Sequence, residues 1–143
     1  MKYSTRHSPL WFLAAAAVSI LSIGVNLGGA WWGDPARWEH AVVTVLYLLF
    51  WLIFTVTARS CPPMLKCCVV MSALTAVTCV VRLMEYAGGL DVLMLPALLL
   101  TLLFSVPLYG LRFLPLSWTV MDTAVLAAAI LWLLYAGKQL TKV

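Results

Sequence analysis

Charge is what this sequence has least of. Only 10% of its 143 residues are charged, against roughly 25% in an ordinary soluble domain, so the chain cannot clothe a water-facing surface. With 64% of its residues hydrophobic, it belongs in lipid. No basic groove is visible, which excludes nucleic acid as a partner. The four cysteines include no CxxC pair, and signatures for a nucleophile, a nucleotide or metal-assisted hydrolysis are missing. No residue is therefore assigned a catalytic or metal-ligating role, and no cofactor is implied. Repeats, linkers and low-complexity tracts are also lacking, and residues 1–143 read as one polytopic membrane domain.

What the sequence does have is long apolar runs. Spanning a bilayer takes about 20 apolar residues, and five stretches approach that length. They are Pro9 to Ala30, Pro35 to Ala58, Met64 to Ala87, Leu90 to Leu111, and Trp118 to Gly137. The first run exceeds the roughly 7–15 residues of a signal-peptide core and reads as a span. The expected fold is an all-α bundle of about five membrane helices. The alternative is four helices with a broken or re-entrant fourth segment, because Pro96 and Pro107 interrupt that stretch.

Punctuation marks the breaks. Asp34 offers an N-cap with Pro35 at the first helical position. Pro62 and Pro63 end one helix and open the next, and Gly88 and Gly89 follow the third. With five spans and a cytoplasmic N-terminus, Lys2, Arg6, Arg59, Lys66 and Arg112 fall inside and Arg37, Lys138 and Lys142 outside. The bias favours that orientation, in what is taken to be the plasma membrane. It fits better if the fourth segment does not fully cross, since the two C-terminal lysines then return inside.

Arg82 and Glu85 stand out near the end of the third run, where charge is expensive. Three residues apart, they share a helix face and are expected to pair about 8 Å or less from the outer end. Asn26, Glu39, His40 and Asp91 are expected at the same level. Together the six form a candidate ligand-binding pocket near the outer face, with both signs of charge and one imidazole. Asp122 falls near the inner surface in this topology, as an inner gate, or as an acid that caps with Thr119 or pairs with Arg112.

Polar residues also recur at helical spacing. Ser19, Ser22 and Asn26 lie on one stripe, as do His40, Thr44, Tyr47, Trp51 and Thr55, and as do Cys68, Ser72, Thr75, Cys79, Arg82 and Tyr86. Such stripes line a solute path or serve as ordinary helix-packing contacts, with packing favoured, and Gly24 with Gly28 forms a GxxxG contact of the same kind. Trp11, Trp31, Trp32, Trp38 and Trp118 sit at helix ends as interfacial anchors.

Three functions fit. The first is binding or transport of a small solute, with Arg82 gripping an anionic group. The second is a non-catalytic subunit of a larger membrane complex. The third is an enzyme acting on a lipid-like substrate through Glu85, Asp91 or His40. The partners expected are the bilayer, a small-molecule or lipid ligand, and a second copy or a larger membrane protein.

Overall fold

The computed structural model describes residues 8–88 and 94–142. It is an all-α bundle whose elements follow the apolar runs: α1 Ser8–Trp32, α2 Trp38–Thr57, α3 Pro62–Tyr86, α4 Met94–Leu100 and α5 Trp118–Leu140. Four of these helices are long and apolar enough to cross a membrane, α1, α2, α3 and α5. A helix of 20 residues rises about 30 Å, the thickness of the hydrocarbon core. Among the described residues there is no strand, as expected where every backbone polar group must be satisfied within its own segment.

The fourth segment takes the broken form. α4 passes into a π-helical turn, Thr101–Ser105, and then into a tight 3-10 stretch, Val106–Phe113. Pro107 explains the change of winding. It has no N–H to give, and its ring would strike the carbonyl four residues earlier in a regular helix.

The ends of the helices reveal the path. Arg82, near the end of α3, touches Asp122, near the start of α5, while Arg59, just after α2, donates to Tyr135 in the last turns of α5. The chain therefore leaves α3 and enters α5 at one end of the bundle, and the broken segment between them enters and leaves by that end. We call this end distal, and the end where α1 begins proximal. The expectation that Asp122 lies at the opposite surface from Arg82 is corrected by this geometry. The carboxylate and the guanidinium share one end because the fourth segment turns back.

One helix start also differs from expectation. Asp34 does not cap α2, which begins at Trp38 with Arg37 as its N-cap. Asp34 is held by its backbone instead: its N–H donates to the Gly29 carbonyl at 3.1 Å, and its carbonyl accepts from the Tyr109 hydroxyl. The turn between the helices passes through Gly33, whose φ of 71° suits glycine. Gly88, with φ of 80°, ends α3 in the same way.

The proximal half is filled by aromatic packing. Phe54 is fully buried and meets Trp11, Phe12, Phe50 and Trp51 at ring distances of 5.2–6.1 Å. Trp11 thus serves the core rather than an interfacial belt. Trp32 and Trp38 are 77% and 68% exposed at the distal end, where belts form.

Candidate functional site

The distal half is built around one backbone carbonyl. Pro107 is fully buried, and its carbonyl accepts from the Thr44 hydroxyl at 2.9 Å, the Asn26 amide at 3.1 Å and the Ser22 hydroxyl at 3.3 Å. The Thr44 hydroxyl in turn accepts from the Gly110 N–H at 3.0 Å. A broken helix inside a membrane must find partners for the groups its break frees, and side chains of α1 and α2 supply them here. Three of the polar residues on the helical stripes are thereby committed to packing.

Glycine makes the approach possible. A Cβ on Gly110 would overlap the His40 carbonyl, and one on Gly29 would come within 2.7 Å of the Tyr109 ring. The expected Gly24 and Gly28 contact is not made among the described residues, none of which lies within 4 Å of a Cβ placed at either. Those two glycines are exposed on the outer face of α1.

Between the broken segment, α3 and α5 lies a cavity of about 740 Å³. Leu98, Leu102, Phe104, Met121 and Val125 give it apolar walls. Arg82, Glu85, Tyr86, Ser105, Arg112 and Asp122 supply its polar groups.

Arg82 is held from three sides. Its Nε lies 3.1 Å from the Asp122 carboxylate, one terminal nitrogen donates to the Tyr86 hydroxyl at 2.7 Å, and the other donates to Ser105. The Tyr86 hydroxyl in turn donates to the Asp122 carboxylate at 3.1 Å, closing a ring. Both charged side chains are nearly buried, at 13% and 10% exposure, and each is the other's counter-charge. The expected partner, Glu85, does not take this place. It is exposed in the last turn of α3 and makes no ion pair among the described residues. Asp122 offers the shorter reach because α3 and α5 pack side by side.

The other candidates scatter. Asn26 is fully buried in the node around Pro107 and does not line the cavity. His40 accepts the Arg37 N–H through Nδ1 at 3.0 Å and packs edge-on against Tyr109, so it opens α2 rather than lining the cavity. Glu39 lies beside it in the first turn of α2, with one carboxylate oxygen buried and without a hydrogen-bond partner among the described residues. Asp91 lies outside the described residues.

Two site residues lay beyond the sequence reading. Trp118, read as an interfacial anchor, receives Arg112 over its ring face at 3.3 Å and Arg82 at 5.1 Å from the ring centroid. Arg112 also stands 5.2 Å from the Tyr109 ring. Their signal was the run "LRFLPLSW", which joins a cation to an aromatic across a proline turn, but pairing them requires the turned-back segment. Of the cysteines, Cys79 lines the cavity; Cys61, Cys68 and Cys79 are buried and Cys67 half-buried, all free. Among the described residues no cluster of potential metal ligands occurs. The chain matches no protein-family model, no curated protein and no solved structure.

Proposed function

We propose that the protein is a membrane binding protein for a small amphipathic molecule, which it takes into the distal cavity. The observation that carries this reading is the cavity itself. A volume of about 740 Å³, apolar walls and a few convergent polar groups match the usual make-up of a small-molecule site. A ligand with an apolar body suits a site that opens among lipid-facing helices. Binding is favoured over passage because the proximal half is closed by the aromatic core around Phe54.

Orientation follows from charge. At the proximal end stand Arg59, Lys66, Lys138 and Lys142 with no acid among the described residues, and Lys2 and Arg6 precede α1. The distal end carries Asp34, Glu39, Glu85 and Asp122 beside three arginines. Loops rich in Lys and Arg stay in the cytoplasm, which supports a cytoplasmic N-terminus with the cavity at the outer face.

The test is native mass spectrometry of the protein extracted gently from its host membrane. A discrete lipid-like adduct is expected on the natural protein and is expected to vanish in Val125→Trp, which fills the cavity from α5. An adduct retained equally by both, or found on neither, overturns the reading.

A second reading, as a subunit of a larger complex, is favoured by the open faces of Gly24 and Gly28. Such small-residue faces let another membrane helix approach closely. The same spectra would then carry a stoichiometric protein partner, and Gly24→Leu would remove it.

A further inference from the structure

The cavity holds two guanidinium groups, and they are not equivalent. Arg82 has its charge matched by Asp122 and its terminal nitrogens occupied by Ser105 and Tyr86. An incoming anion would have to compete with a nearly buried carboxylate that is already in place. Arg112 is the opposite case. Among the described residues no carboxylate lies within ion-pair distance of it, and none of its nitrogens makes a hydrogen bond. Its guanidinium lies over Trp118 and beside Tyr109. Stacking engages the faces of the guanidinium plane, whereas its five donors point outward within that plane. The group is therefore held in place with its hydrogen-bonding edge unused, on the wall of a cavity that also offers the apolar side chains of Leu102, Phe104 and Val125.

We infer that the ligand is a single-chain amphiphile with an anionic headgroup, and that Arg112, rather than Arg82, holds that headgroup. The inference rests on the cavity being a ligand site. A phosphate suits the donor set, because an arginine fork binds two of its oxygens at once. The chain of the amphiphile would lie against Leu102, Phe104 and Val125. Arg82 and Asp122 then have a positioning role, fixing α3 against α5 beneath Trp118.

The experiment titrates the purified protein with a long-chain alkyl phosphate, the alcohol of the same chain, and inorganic phosphate, reading bound ligand by native mass spectrometry. The natural protein should prefer the alkyl phosphate to the alcohol by about tenfold or more, the scale of a charge-assisted hydrogen-bonded pair. Arg112→Gln should abolish that preference while alcohol binding stays within about twofold. Arg112→Lys, which keeps the charge and loses the fork, should retain part of it and serves if the glutamine variant does not fold. A preference unchanged in Arg112→Gln overturns the inference, as does inorganic phosphate competing as well as the alkyl phosphate. If neither amphiphile binds, the cavity reading itself falls, an outcome distinct from alcohol and alkyl phosphate binding equally well.

Discussion

The Arg82 guanidinium and the Asp122 carboxylate meet at 3.1 Å, joining residues 40 positions apart near the end of α3 and the start of α5. That single contact places the segment between them, because a chain that leaves and returns at one end of the bundle has not crossed it. It also carries a share of the stability. Each side chain is nearly buried, and a charge left there without its partner is costly.

Asp122→Ala should destabilise the protein by about 3 kcal/mol, the scale of breaking a buried pair by removing one partner. Arg82→Met combined with Asp122→Leu should recover more than half of that loss, since neither buried charge then remains. Thermal unfolding in detergent of the natural protein, of Arg82→Met and Asp122→Leu singly, and of the double variant measures the coupling. Additive losses would mean that the two residues act independently.

The node around Pro107 makes its own prediction. Thr44→Val keeps the shape of the side chain but removes the hydroxyl that lies between the Gly110 N–H and the Pro107 carbonyl. A loss of about 1–3 kcal/mol is expected, the cost of stranding buried polar groups. Thr57→Val, at an exposed site whose hydroxyl bonds only to its own helix, should change stability by less than about 0.5 kcal/mol. Equal effects in the same melting experiment would show that the node contributes nothing particular.

Glycines at two places should respond in opposite ways. Gly110→Ala forces a methyl group into the His40 carbonyl and should unseat the broken segment, lowering the melting temperature and opening the distal half to proteolysis. Gly24→Ala meets nothing within 4 Å and adds helix propensity, for a gain of up to about 1 kcal/mol. A matched loss at both positions would contradict the close approach of α2 to the broken segment at Gly110.

Topology is open to chemical labelling. In a background with the four native cysteines replaced by alanine, Gly88→Cys and Ser117→Cys should react with a membrane-impermeant maleimide from one side. Thr141→Cys should react only from the other. If Gly88→Cys and Ser117→Cys label from opposite sides, the fourth segment crosses the membrane and the bundle has five spans.

Much of the architecture was legible in the sequence because lipid is a demanding solvent. It requires long apolar runs and internally satisfied backbones, so the four spanning helices appear as runs of about 20 residues bounded by prolines and glycines. Pro96 and Pro107 announced the broken segment for the same reason. The burial of Ser22, Asn26 and Thr44 was also readable, since helical spacing puts a polar stripe on the inner face.

Partners were not legible. Glu85 sits on the face of Arg82 by local spacing, yet α5 brings Asp122 closer, and no local rule measures the distance between two helices. Helical spacing likewise put His40 with the polar residues without saying that Arg37 would occupy its Nδ1. Which of the two cavity arginines pairs with a carboxylate, which glycines face inward and where the cavity opens depend on contacts between segments remote in the chain. Composition and periodicity fixed what each segment is, because those are local responses to lipid. Only the tertiary structure decided which side chains meet, because the return of the fourth segment to the distal end is a property of how the whole bundle packs.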